Sequence, residues 1–394
     1  MEEKIALGFG NNIDYEIVWN SEVFEDLIVQ YDIHDEELSM DIQVTCERDL
    51  GISILGFLKS DSGGERFVAS SDILEQFAQH FANKVTLGGT PVRAAIAMRK
   101  LGYTSALHLV TINNDVRRLI PEDIPYVYSN TTENSSPHLI VQFRNDTRVK
   151  AGDIEIHTSR ANRIIYSNDY DTIVMNINEG FSKLVTEARI FLVSGFNTMQ
   201  SKELLAKRLE SVLRIMEKLP ADALVYYEDA GFYDPGLGKL IHQTLADRIH
   251  IYSLNEDELQ MHVSRKLDLL NAFQIKEALV ELQRLIPVPL IVVHSMYWAL
   301  AYGENAESVL NALKGGVTMA TTRFCCGDDF TVENYKDIER LPPNPEGMVF
   351  ANELKKLLGD RICCVPVVHV EEPNGTTVGL GDAFVGGFLP ALLS

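Results

Sequence analysis

Near its C-terminus the chain reads Thr376-Thr377-Val378-Gly379-Leu380-Gly381-Asp382-Ala383-Phe384 and continues into VGGFLPALL. A Gly-x-Gly turn that opens a helix leaves backbone amides uncovered at the helix N-terminus. Such amides bind phosphate oxygens and stabilise the charge that develops in phosphoryl transfer. Gly379, Leu380 and Gly381 are therefore the candidate anion hole. Asp382, in the first turn of that helix, is placed to take a proton from an attacking hydroxyl. A plain glycine turn followed by an aspartate cap has the same spelling.

Three weaker signals accompany it. Gly88-Gly89-Thr90-Pro91 precedes the small-residue stretch Val92–Leu101, and a diglycine lets a ligand come close to the backbone. Asn255-Glu256-Asp257-Glu258 follows an apolar run ending at Leu254. Carboxylates and an amide there make a hard-oxygen set suited to Mg²⁺ through water, although acidic residues also favour a helix N-terminus for its dipole alone. Asn11-Asn12-Ile13-Asp14 after the first apolar run offers polar groups for sugar hydroxyls, or a β-turn. His138 and His294 read as packed histidines rather than ligands.

Hydrophobic periodicity indicates which elements carry these groups. From residue 186 onward, short β-branched runs alternate with longer amphipathic stretches. Ala188–Ser194, Ala223–Glu228, Ile249–Leu254, Pro289–His294 and Gly316–Ala320 are predicted strands, near-continuously apolar as buried parallel strands are. Ser201–Lys218, Leu237–Arg248, Asp257–Leu285 and Glu304–Lys314 are predicted helices. This alternation gives an α/β fold with a parallel sheet covered on both faces, whose ligands bind beyond the carboxyl ends of the strands. Earlier in the chain, Lys4–Phe9 is a predicted strand, and Ser71–Ala82 and Val92–Leu101 are predicted helices. The stretch 126–170, rich in β-formers and turn residues, is expected to form antiparallel strands standing off the main sheet. The expected division is a core of 1–12, 66–125 and 171–394, with a lid of 13–65 and 126–170.

Composition narrows the class. The 394 residues are 46% hydrophobic, and 35 basic against 56 acidic side chains give a net charge of −21. That surface repels phosphate backbones and anionic lipid, so nucleic-acid and membrane roles are not expected. The opening MEEKIALGFG lacks the pattern of a signal peptide, and Leu285–Val293 is too short to span a bilayer. Cys46 stands alone, while Cys325–Cys326 and Cys363–Cys364 are adjacent pairs. That spacing fits neither a disulfide framework nor zinc, and reads as small buried residues in strands. A cytoplasmic location is expected; oligomeric state is left open.

In chain order, the N-x-x-D, the diglycine, the N-x-x-E and the G-x-G-D resemble the ribokinase-like superfamily of sugar kinases. Further segments are similar to the ADP-dependent glucokinase and phosphofructokinase family. Arg160-Ala161-Asn162-Arg163-Ile164-Ile165 resembles its R-x-N-R-F-I, and Val193-Ser194-Gly195-Phe196 follows a strand as it does there. Ser253–Leu259 resembles S-x-N-E-x-E-L, Val293-His294-Ser295 resembles V-H-T, and Thr377–Asp382 resembles T-V-G-x-G-D. The resemblance implies a ribokinase-like α/β core with a smaller β-rich lid, acting on small molecules. It implies transfer of the terminal phosphoryl group of ADP to a hexose or hexose phosphate, with Mg²⁺. Asp382 would be the general base and Gly379, Leu380 and Gly381 the anion hole. Asp14, Asn12, Gly88, Gly89 and Glu65 would hold the sugar. Arg160 and Arg163 would meet a sugar phosphate or form lid salt bridges, and Glu258 with Asn255 would organise Mg²⁺ through water. An ATP-dependent kinase on this scaffold, or a sugar- or nucleotide-binding protein without activity, are the alternatives.

Overall fold

Runs such as Ile190–Val193 (IFLV) and Leu290–His294 (LIVVH) have no polar face to give to water, so they form strands buried on both sides. In the computed structural model residues 4–132, 136–232, 234–372 and 375–393 are described. The stretches 1–3, 133–135, 233, 373–374 and 394, which fall within the expected domain spans, lie outside them. In chain order the strands are β1 (Ile5–Gly8), β2 (Asn12–Ile17), β3 (Gly64–Phe67), β4 (Asn83–Gly88), β5 (Ala106–Ile112), β6 (Tyr126–Thr131), β7 (His138–Phe143) and β8 (Arg148–Ala151). They continue with β9 (Ile154–His157), β10 (Asn162–Ser167), β11 (Ile190–Val193), β12 (Leu224–Glu228), β13 (Ile251–Asn255), β14 (Leu290–His294), β15 (Trp298–Gly303) and β16 (Ile362–Pro366).

The main sheet has the order β16-β15-β14-β13-β12-β11-β1-β5-β6. It is parallel from β14 to β6, and β15 runs antiparallel to both its neighbours. Successive residues enter opposite apolar layers: Phe191 packs with Leu209, Ile241 and Leu279, whereas Leu192 packs with Leu107, Leu313 and Phe388. A second sheet, β3-β10-β7-β2-β4, and the hairpin β8–β9 share a separate core that includes Phe24, Leu55, Phe77, Val141 and Tyr166. Helices Ser21–Tyr31, Glu47–Lys59 and Ser71–Ala78 contribute to that core.

Several expectations need correction. β6 is the edge strand of the main sheet, parallel to β5, so 126–131 does not leave with the lid. Conversely β4 and helix Ser71–Ala78 belong with the smaller sheet and its core, which extends it across 66–88. Periodicity reports the type of an element and not the partner it pairs with. The smaller sheet is also mixed, since the β2–β7 and β10–β3 pairs are parallel. Gly316–Ala320 is no strand but the middle of helix Leu310–Cys326. Asp257–Leu285 is two helices, Glu256–His262 and Ala272–Leu285, the second capped by the side chain of Asn271. Cys325 and Cys326 end a helix, Cys363 and Cys364 lie in β16, and Cys46 is exposed; all are free thiols.

Candidate active site

The helix Leu380–Ala391 is fixed by glycines. A Cβ on Gly315 would lie 2.5 Å from the Gly387 carbonyl oxygen, and one on Gly386 would lie 2.8 Å from Ala97 Cβ. Helices Leu310–Cys326 and Thr90–Lys100 therefore grip it at backbone distance from two sides. At its N-terminus Gly379 takes φ 65° and no side chain caps the first turn, so the opening amides stay available to an anion. A side chain at Gly379 would sit 3.0 Å from Arg93 and 3.2 Å from Arg323 Nε, so glycine is required on two counts. Arg323, itself buried, donates from Nε to the Val378 carbonyl at 2.8 Å and so pins the loop.

Asp382 keeps 21% of its side chain exposed, turned to the cleft rather than to the packed face formed by Ala383, Phe384 and Val385. Its Oδ1 accepts a hydrogen bond from Thr90 Oγ1 at 2.7 Å, and Arg93 Nε stands 3.7 Å from Oδ2. Thr90 directly follows the diglycine, so this bond joins two motifs 292 positions apart in the chain.

Asn12 and Asp14 lie on β2 rather than in a turn, opposite Gly88 and Thr86 of β4. Asn12 Nδ2 donates to Asp14 Oδ1. A Cβ on Gly88 would come within 2.3 Å of Asn12 Nδ2, and Gly89, at φ 93°, would put one 2.8 Å from the Gly10 carbonyl oxygen. Arg93 Nη2 donates to Asp14 Oδ2 at 2.8 Å and lies 3.3 Å from Glu16 Oε1. Both Arg93 and Asp14 are buried. Burial pushes Asp14 up to about 6 against the lowering effect of Arg93. Arg93 moves up despite its burial, because Asp14, Asp382 and Glu16 surround it, so the pair is ionised at neutral pH.

A pH effect follows. Because the Asp14 carboxyl is raised, its contribution to stability is full below the ordinary value of 3.8 and lost as pH rises through about 6. Its ability to accept hydrogen bonds from a ligand changes in the opposite sense. We expect kcat/KM to fall as pH drops through about 6, and the pH profiles of the native protein and of Asp14→Asn check this. A native profile that stays flat across that pH would contradict it.

The remaining sequence candidates divide. Glu65, on β3, is open to solvent, yet the walls of the cleft and the charges of Asp382 and Asp14 raise its pKa, which Arg163 lowers. Glu258 is buried and its pKa lies well above the usual range, first through burial and then through Asp229, Glu228 and Glu65. Asn255 has its side-chain oxygen engaged by the amides of Asp257 and Glu258, while Glu258 Oε2 accepts from the Asn255 amide at 2.8 Å. The N-x-x-E is thus a capping box, and Asn255 acts by holding Glu258. Arg163 lies on β10 directly across from Gln142. Gln142 Oε1 in turn accepts from Thr376 Oγ1 and the Thr377 amide, both at 3.1 Å. Arg160 is not brought to this place; exposed, it donates to the Asp61 carbonyl at 2.7 Å.

Sequence reasoning missed Thr90, Arg93, Arg323 and Glu228. One signal was available: Arg93 is a charge within a helix of small apolar residues. Glu228 closes β12, accepting from Tyr226 Oη at 3.2 Å and lying 3.0 Å from His294 Nε2. His294 stacks on Phe384 at 4.6 Å and backs Gly381, so it is a packed, hydrogen-bonded histidine next to the loop. A cavity of about 160 Å³ beside Asn12 is lined by Thr111, Asn113, Ser136, Asp169 and Asp171. A larger depression of about 470 Å³, around Phe273 and Leu357, shares no residue with this cleft.

The model of the ADP-specific phosphofructokinase/glucokinase conserved region matches residues 3–389. The chain belongs to this family. It is an ADP-dependent sugar kinase, a phosphotransferase with an alcohol acceptor. A phosphofructokinase from Pyrococcus horikoshii OT3, solved with AMP, is similar in fold at 20% identity and TM-score 0.76, over 100% of this chain and 98% of that one. An ADP-dependent kinase solved with fructose 6-phosphate and ADPβS is similar at 15% identity and TM-score 0.76, over 100% and 94%. The ribokinase-like likeness extends to an adenosine kinase from Anopheles gambiae, at 13% identity and TM-score 0.50, over 99% and 88%. No curated protein matches the sequence. Among the described residues, no helix is long and apolar enough to cross a membrane.

Proposed function

We propose that this sugar kinase phosphorylates a hexose phosphate of the fructose 6-phosphate class, with Asp382 as general base. The observation that carries the acceptor is Arg163. Among the described residues its guanidinium donates no hydrogen bond, and it stands on the strand face that meets the loop before Gly379. Its charge acts on Glu65, but a guanidinium whose donors make no hydrogen bond is suited to a phosphate. The related kinase bound to fructose 6-phosphate and ADPβS supports this reading at the level of fold.

In the reaction the acceptor hydroxyl oxygen forms a bond to the terminal phosphorus of ADP while the bond to AMP breaks. Asp382 takes the hydroxyl proton, and the amides around Gly379, Leu380 and Gly381 hold the transferring oxygens. Asn12, Asp14, Gly88 and Gly89 form the polar floor on which the sugar hydroxyls rest, with Glu65 at the rim. A divalent cation fits beside them, because Glu258 is buried and the charges of Asp229, Glu228 and Glu65 raise its pKa further, a repulsion that a cation relieves. Mg²⁺, when bound, supplies neutralisation of the diphosphate charge. Glu258 would hold it through water, oriented by the Asn255 cap. The free thiols support a reducing, cytoplasmic setting.

Initial rates with ADP or ATP against glucose and fructose 6-phosphate test the reading. ADP with fructose 6-phosphate should give the highest kcat/KM. Arg163→Ala should raise KM for the sugar phosphate roughly 10–100-fold, the worth of hydrogen bonds to a charged group, with kcat less affected. Preference for glucose, together with an unchanged KM in Arg163→Ala, would refute the acceptor assignment.

A further inference from the structure

A group of metal-ligating side chains borders the acidic cleft: Asp229 adds its charge to that of Glu258, while the two histidines beside it take no part in the roles assigned above. Asp229 directly follows β12, His242 lies on helix Pro235–Leu245, and His262 ends helix Glu256–His262. A carboxylate oxygen of Asp229 and one ring nitrogen from each histidine all lie within 4.8 Å of one another. Successive residues of an extended strand point apart: Glu228 meets His294 and Tyr226, whereas Asp229 meets His262. The two carboxylates therefore hold different partners.

The second observation is Asp229 itself. Its side chain is only 3% exposed. Oδ2 lies 2.7 Å from His262 Nε2, but Oδ1 is buried without a hydrogen-bond partner. A carboxylate oxygen kept from water with no donor is costly, and a bound cation removes that cost. The histidine rings are tilted 47° to one another with centroids 5.5 Å apart, and the Tyr252 hydroxyl, 2.8 Å from His242 Nε2, forms a wall. Tetrahedral bonds of about 2.0–2.1 Å set the ligand atoms about 3.3 Å apart, so the three side chains must draw together when an ion binds. His262 keeps 24% exposure, which leaves a way in.

We propose that Asp229, His242 and His262 bind a divalent transition ion of the zinc class, at a site separate from the position of Glu258. Two imidazoles and a carboxylate select such ions over Mg²⁺, which prefers oxygen ligands and water. Glu258 and His262 share one short helix, so occupancy links the far end of that helix to β12 and braces the turn that carries Glu258. The site stands or falls independently of the acceptor sugar.

The test uses the full chain, stripped with chelator and titrated with Zn²⁺ or Co²⁺ in excess Mg²⁺. One equivalent should bind per chain, Co²⁺ should develop the visible bands of a low-coordinate site, and Zn²⁺ should raise the melting temperature. His242→Ala and His262→Ala should each weaken Zn²⁺ binding by at least about 100-fold, beyond what neighbours of a ligand usually cost. His242→Gln, checked for native melting without metal, covers the case in which an alanine variant does not fold. Glu258→Gln should still bind one equivalent. Displacement of the ion by Mg²⁺, loss of binding in Glu258→Gln, or binding that survives in the double histidine variant (as it would if cysteine thiols were the ligands) would overturn the assignment.

Discussion

Asp382→Asn is expected to lower kcat by about 10²–10⁴-fold, the usual worth of a general base, with little change in KM for either substrate. The substitution is conservative in shape. An asparagine Oδ1 can still accept from Thr90 Oγ1, which now bonds the aspartate at 2.7 Å. The helix beneath is gripped through Gly315, Gly386 and Gly387 and does not depend on the carboxylate. What disappears is the atom that takes the proton, together with a negative charge 3.7 Å from Arg93 Nε. Coupled-assay kinetics and a melting curve separate chemistry from folding. A kcat within about tenfold of the native value would remove Asp382 from the role of base, since even the weak end of such catalysis exceeds that.

Arg93→Met should destabilise the protein by about 3–5 kcal/mol, the usual result of removing one partner from a buried ion pair. Methionine fills much of the space but leaves Asp14 buried with, among the described residues, only Asn12 donating to it. The loss should depend on pH in a definite sense. Burial already raises Asp14 to about 6 with Arg93 present, and without the guanidinium it rises further. The deficit of the variant should therefore shrink as pH falls through that range, because a protonated Asp14 needs no counter-charge. Asp14→Asn added to Arg93→Met should recover part of the loss, and chemical unfolding of the four proteins in the cycle measures it. Equal deficits at acid and alkaline pH would mean that the arginine acts through packing rather than charge.

The parts of this site that could be read in advance share a property: each depends on backbone shape and so is spelled by consecutive residues. Gly379, Leu380 and Gly381 before Asp382 announce a helix start over which a carboxylate sits, and Gly88-Gly89 announces a close approach of chains. Asn255–Glu258 shows the limit of this. A capping box and a cation-holding motif have the same letters, and only the hydrogen bonds from the Asp257 and Glu258 amides to Asn255 Oδ1 show where the asparagine is engaged. Gly316–Ala320 failed for a related reason. Its β-branched residues favour a strand in isolation, but Gly315 and Gly316 are needed as a helical face against Gly387 and Phe384, and tertiary packing overrides local preference.

Sequence alone determined the α/β class, the order of most strands along the chain, the glycine turn that opens the last helix and the aspartate beside it, because local backbone geometry and burial leave a periodic record. Tertiary structure decided the membership of β6, β4 and helix Ser71–Ala78 in their sheets, the separation of Arg160 from Arg163, and the roles of Thr90, Arg93 and Arg323. Those depend on contacts between residues as far apart as Thr90 and Asp382. Charge pairing across such a separation has no periodicity in the chain, and only the folded arrangement brings the partners within hydrogen-bonding distance.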